Sequence, residues 1–173
     1  GHAGTLDPNA SGVLVVGIGL ATKLLGLLTL DRKGYVADIS FGARTSTDDA
    51  DGEIVATAPV SAELREEEFA RAACAKLVGT VDQLPPAVSA ISVDGKRAYQ
   101  LVREGKTPEL AARRVSIYDA TLLAVRKPST TDESLVWTVA FDVSKGTYIR
   151  SIARDLGQSL GTEAHISGLR RTF

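Results

Sequence analysis

Asp7 stands as the single carboxylate in the stretch Gly1-His2-Ala3-Gly4-Thr5-Leu6-Asp7-Pro8-Asn9-Ala10-Ser11-Gly12. Small residues around one acid let the backbone turn sharply and let a ligand approach closely. A loop on a rigid scaffold is where functional groups concentrate. An aspartate before a proline also caps ordinary turns, so the local pattern fits both a structural and a catalytic acid. The second segment able to do chemistry is Lys145-Gly146-Thr147-Tyr148-Ile149-Arg150. It leads from an alternating stretch into a helical one. Free N–H groups at a helix start favour an anion. An arginine beside them can grip a carboxylate or phosphate through two parallel hydrogen bonds.

Other chemistries fit poorly. The nitrogen and sulfur ligands are His2, His165 and Cys74, and no two of them have zinc spacing. The acidic turn Asp48-Asp49-Ala50-Asp51-Gly52 fails as a calcium loop. Setting Gly52 at that loop's glycine puts Thr47 and Ala58 where carboxylates are needed. Gly17-Ile18-Gly19 with Lys23 lacks the Gly-Lys-Ser/Thr ending of a phosphate loop. No spacing supports a serine or cysteine triad.

The 173 residues suit one domain with a sizeable core, and 44% hydrophobic with 24% charged residues is a globular balance. The apolar run Val13 to Ile18 is too short to span a bilayer. No basic leader with an apolar core opens the chain, and one cysteine cannot form an internal disulfide. A cytoplasmic location is the default expectation. The net charge of -1 decides nothing about nucleic acid. Its distribution says more. Residues 48–68 are acidic, while Lys96, Arg97, Arg103, Lys106, Arg113 and Arg114, then Lys145, Arg150, Arg154, Arg170 and Arg171, form basic stretches.

The elements that would position these groups follow from periodicity. Val13 to Ile18 reads as a buried strand and Ala21 to Leu30 as a short leucine-rich helix. Tyr35, Ala37, Ile39 and Phe41 alternate with other residues and predict a half-buried strand. Ser61 is an expected N-cap for a helix reaching Leu77, ended by Gly79. Gln83-Leu84-Pro85-Pro86 reads as a rigid break. Residues 86–113 form a basic excursion with an Asp94-Gly95 turn and a short helix near Tyr99 to Glu104. Strands are expected over Val115–Val125 and Leu135–Val143, joined by a hairpin loop at 127–133. A helix follows from Tyr148 to Leu160, with Ile149, Ile152, Ala153, Leu156 and Leu160 on one face. Several strands, few helices and hairpin signals imply an α+β (mixed α/β) domain on a largely antiparallel sheet.

Taken in order, these segments resemble the bacterial tRNA pseudouridine synthase B family. The likeness rests on Gly1 to Pro8 with Ala10-Ser11-Gly12-Val13-Leu14, then Ala21-Thr22-Lys23, Lys33-Gly34-Tyr35 and Thr47-Asp48-Asp49-Ala50-Asp51-Gly52. It continues through Pro85-Pro86-Ala87-Val88-Ser89-Ala90 and Asp94-Gly95-Lys96-Arg97-Ala98-Tyr99, to Ser144-Lys145-Gly146-Thr147-Tyr148-Ile149-Arg150 and Leu169-Arg170-Arg171. The resemblance implies the pseudouridine synthase fold, a mostly antiparallel sheet flanked by helices with a central cleft. It implies isomerisation of uridine to pseudouridine at position 55 in the T-loop of tRNA, with no metal or cofactor. A non-catalytic RNA-binding or RNA-folding module, or a synthase for another RNA, are the alternatives.

The resemblance also implies roles. Asp7 would be the essential carboxylate; attack on the sugar, attack on the base and removal of a sugar proton all stay open. Arg150 would pair with Asp7. Tyr35 would stack on the everted uracil and serve as the base for the C5 proton. Tyr148 and Leu169 would line the uracil pocket, and His2 would occupy or stack against the space the base leaves. Lys23, Arg170 and Arg171 would meet phosphates. Residues 86–113 would grip RNA, using Lys96, Arg97, Tyr99 and Arg103. The expected partner is the tRNA T-arm, met by a monomer with no membrane. Departures from the family pattern are an absent opening segment before Gly1, an absent C-terminal RNA-binding extension, and Arg114 where proline is common. With no methionine anywhere, residues 1–173 are expected to be a catalytic domain truncated at its N-terminus, with an exposed sheet edge prone to aggregation.

Overall fold

A computed structural model describes residues 1–131 and 133–173. In chain order its elements are β1 (Ser11–Gly12), a 3-10 helix (Gly19–Leu28), β2 (Arg32–Phe41), β3 (Ala43–Thr45), β4 (Ile54–Thr57), a 3-10 turn (Ala62–Arg65), α1 (Glu67–Ala75) and β5 (Gly79–Gln83). There follow β6 (Ser92–Val93), β7 (Lys96–Arg97), α2 (Ala98–Arg103), β8 (Arg113–Arg126), β9 (Val136–Ser144), α3 (Ile149–Ser159) and β10 (Ala164–Arg171). The main sheet has the order β1-β10-β2-β9-β8-β5. Its pairings are antiparallel except β1 with β10. The expected α+β architecture is the one found.

Period-two patterning builds the core. Tyr35, Ala37 and Ile39 of β2 sit opposite Phe141, Val139 and Trp137 of β9, so their side chains share a face. All six are buried. The apolar stripe of α3 lies on that face, with Ile149, Ile152, Ala153 and Leu156 buried. A Cβ on Gly157 would come 2.7 Å from the backbone nitrogen of Ala164. That glycine lets α3 lie close against β10.

Four expectations need correction. Val13 to Ile18 is not a buried strand: β1 has two residues, and Val13, Val16 and Ile18 are 49%, 60% and 84% exposed. The run lies beyond the sheet edge: Val13 bonds Arg171 of β10, and Val15 to Gly17 pair with Gly1 to Ala3 instead. Ala21 to Leu30 is a 3-10 helix with no buried residue. The expected helix from Ser61 breaks at Glu66, which is extended, and the Ser61 hydroxyl caps nothing. The break frees the Leu64 carbonyl to accept the Trp137 indole N–H at 2.9 Å. In a continuous helix that carbonyl would be bound to its own i+4 amide.

Two strands also escape the periodicity. β5 is an exposed edge strand whose outward residues leave no apolar alternation. β10 carries an irregularity between Ile166 and Gly168, which shifts its pattern out of phase. The expected loop at 127–133 includes Asp132, which lies outside the described residues. The excursion at 86–113 contains the β6–β7 hairpin, with Asp94 and Gly95 at positive φ, and then α2.

Candidate active site

The end of β9 and the start of α3 set the site's geometry. The chain leaves Ser144, turns through Gly146 at φ +81, and reaches Tyr148 in extended conformation. The buried Gln83 locks this point. Its amide accepts from the Tyr148 N–H at 2.9 Å and donates to the Tyr148 carbonyl at 3.1 Å. Two residues later Arg150 is buried, although it lies outside the apolar stripe of α3. A buried guanidinium needs partners for its charge and its donors. Arg150 finds them in Asp7, through Nε to Oδ2 at 2.9 Å and Nη2 to Oδ1 at 3.0 Å. Its Nη1 donates to the carbonyls of Thr47 at 3.1 Å and Val88 at 2.9 Å, and lies 3.7 Å from the Asp49 carboxylate.

The loop carrying Asp7 is held from below. The Ala10 N–H closes a turn on the Asp7 carbonyl at 2.9 Å, and Asn9 bonds Asp51. Arg171 donates to the carbonyls of Val13 (2.7 Å), Thr5 (3.2 Å) and Gly4 (3.4 Å). Arg171 is itself buried. Its expected contact with phosphate is therefore corrected: its donors are turned inward and brace the loop.

A cavity of about 210 Å³ opens above the Asp7–Arg150 pair, walled by Tyr35, Tyr148 and Leu169, with Lys33 and Thr147 also at its lining. Asp7 is about a third exposed toward it. Burial raises the phenol pKa of Tyr35 against the opposing pull of Arg171. Burial likewise raises that of Tyr148, against Arg150 and Arg113. Both rings are thus neutral phenols at neutral pH.

Of the residues anticipated from sequence, Asp7, Tyr35, Tyr148, Arg150 and Leu169 converge on this one cavity. His2 does not line it; it sits exposed, bridged to Val16. Lys23 is exposed on the 3-10 helix and Arg170 is exposed on β10. Sequence reasoning missed Lys33, Gln83 and Asp49. The two-residue spacing of Lys33 from Tyr35 is a signal that it shares Tyr35's face. Gln83 gave none, because its role depends on a helix 65 positions away. Among the described residues no three His, Cys, Asp or Glu side chains gather as a metal-binding group.

Comparison with known proteins bears on this geometry. Residues 1–149 match the model of the N-terminal domain of the TruB family of pseudouridylate synthases. A protein named tRNA pseudouridine synthase B from Mycobacterium sp. (strain KMS) is 54% identical over 172 residues, covering 99% of this chain and 56% of that protein. One of the same name from Thermobifida fusca is 49% identical over 173 residues, covering 99% of this chain and 58% of that protein. The chain thus spans a little over half the length of these relatives. Among solved structures, a Cbf5-Nop10-Gar1 complex contains a chain with TM-score 0.67 and 29% identity, matching all of this chain and 39% of that one. An H/ACA RNP bound to a substrate RNA containing 2'-deoxyuridine gives TM-score 0.63 and 25% identity, matching all of this chain and 38% of that one.

Proposed function

The chain belongs to the TruB family of pseudouridylate synthases, and from that premise we propose that it converts uridine to pseudouridine at position 55 in the T-loop of tRNA. The observation that carries the reading is the two-bond pairing of Asp7 with buried Arg150 at the floor of an aromatic-walled cavity. An uncatalysed base inside a folded loop is out of reach, so the target nucleotide must leave the stack at a cost of a few kcal/mol. Tyr35, Tyr148 and Leu169 offer the base a partly apolar replacement for that stacking.

The reaction breaks the bond from C1′ to N1 and forms one from C1′ to C5. A proton leaves C5 and one is taken up at N1. Substrate and product contain the same atoms, so the balance requires no co-reactant. Asp7 is the catalytic carboxylate, and Arg150 fixes its orientation through parallel hydrogen bonds that a lysine could not reproduce. Tyr35 stacks on the base as a neutral phenol. The segment 86–113 meets the RNA with Arg97 and Arg103, while His2, Lys23 and Arg170 lie on the outer surface that the T-arm would cross. We place this activity in the cytoplasm; no helix among the described residues is long and apolar enough to cross a membrane.

The test uses a T-arm RNA carrying tritium at C5 of the target uridine. The chain is expected to release tritium to water. Asp7→Asn should bind the RNA yet lower release by about 10³-fold or more. Equal release from both proteins would remove Asp7 from the chemistry. Release from a different RNA, with none from the T-arm, would support the reading of a synthase for another substrate.

A further inference from the structure

Lys33 is the one charged residue on the core-facing side of β2. Residues two apart on a strand share a face, so Lys33 continues the row of Tyr35, Ala37, Ile39 and Phe41, about 7 Å beyond Tyr35. Its partner in the sheet is the buried Val143. At this end of the row the core opens into the cavity, and Lys33 lines it together with Asp7. The ammonium lies against the loop bearing Asp7. A Cβ on Gly4 would fall 2.6 Å from Lys33 Nζ, so Gly4, at φ +100, makes room for it.

The surrounding carboxylates are engaged elsewhere. Asp7 and Asp49 face Arg150, and Asp48 faces Arg154. Burial, and then the like charge of Arg171, hold the Lys33 ammonium below the ordinary lysine value. Those two influences both work against the charge, and among the described residues no carboxylate offsets them. Arg171 donates to three carbonyls and, being a cation, supplies Lys33 no counter-charge. The cavity rim therefore carries positive charge beyond what Asp7 balances. A half-buried cation without a counterion is costly unless the ligand supplies one.

Resting on the proposed function, we infer that Lys33 is a phosphate-binding residue of this site, its ammonium taking a backbone phosphate adjacent to the everted uridine. A base held between Tyr35 and Tyr148 leads its own backbone over the rim, where Lys33 stands one side-chain row further out. The contact would anchor the everted nucleotide by its backbone and carry no base identity. It would act together with the stacking walls, which hold the base itself.

The test measures equilibrium binding of the tritiated T-arm RNA to the full chain over a series of salt concentrations. Wild type, Lys33→Met and Lys33→Arg are compared. Lys33→Met should bind about three- to tenfold more weakly. Its plot of log affinity against log salt should be shallower by about 0.7–1, the mark of one lost phosphate contact. Lys33→Arg should keep the wild-type slope. A methylphosphonate at the phosphate flanking the target uridine should weaken wild type, yet add nothing to the loss in Lys33→Met. An unchanged slope in Lys33→Met, with tritium release by wild type intact, overturns the site alone. An unchanged slope with a fallen single-turnover rate also overturns it, and moves Lys33 to the base or sugar. No tritium release by wild type overturns the proposed function and this site with it.

Discussion

Arg150 and Asp7 lie 143 positions apart, and the pair they form is mostly hidden from water. One turn of α3 further on, Arg154 repeats the device. It holds Asp48 at 3.2 Å and the Leu84 carbonyl at 2.7 Å, so the acidic turn and the chain after β5 are both pinned to one helix. Asp48 accepts a left-handed backbone, φ +62, to reach this position. Its pKa is raised from 3.8, because burial outweighs the pull of Arg154. A raised carboxylate binds its proton more tightly when folded. Its contribution to stability is therefore full below the unfolded value and is lost as pH rises through the folded one. Urea denaturation of wild type and Asp48→Asn across the range above pH 3.8 should show wild type losing ground to the variant as pH increases, then levelling. Wild type gaining stability relative to the variant as pH rises would contradict this account of Asp48.

At the scale of elements, the main sheet and α3 bring Asp7, Tyr35, Tyr148 and Arg150 together at one cavity, and Trp137 fastens the outlying 3-10 turn to the sheet. Trp137 is fully buried, meets Phe41 edge-on at 4.6 Å between ring centroids, and donates to the Leu64 carbonyl. Trp137→Phe should cost about 2–4 kcal/mol. The cost combines a stranded buried carbonyl with lost ring volume. The chain has one tryptophan, so the unfolding should be followed by circular dichroism, not by indole fluorescence. A loss below about 0.5 kcal/mol would mean the 3-10 turn repacks freely.

For the molecule as a whole, the notable surface is apolar. Ile18, Leu20, Leu24, Leu27 and Leu28 are all at least half exposed along one short segment. Contiguous apolar surface of this kind favours association. Sedimentation of the chain at rising concentration should show self-association, reduced in a Leu20→Lys, Leu27→Lys double variant. Since neither leucine is buried, the unfolding free energy should stay within about 0.5 kcal/mol of wild type. Identical sedimentation of the two proteins would locate any association elsewhere.

The residues proposed to carry chemistry, which meet at one cavity, were legible in the sequence because motif and order mark them: Asp7 among small residues, Tyr35 on an alternating strand, Tyr148 and Arg150 where a strand meets a helix. The strands β2 and β9 and the helix α3 were legible because their apolar periods are clean, and β8 because its run is rich in apolar and β-branched residues despite two irregularities. Where period and packing part company, sequence was a poor guide. The valines after Asp7 look like a core strand but lie at an edge, and β10 pairs along β2 yet its irregularity scrambles the alternation. Only the tertiary structure decided that Arg171 braces the loop bearing Asp7, that Gln83 sets the start of α3, and that Lys33 faces the cavity. Each of these depends on partners distant in the chain, and hydrogen bonds and charge pairs between distant segments leave no local period to read.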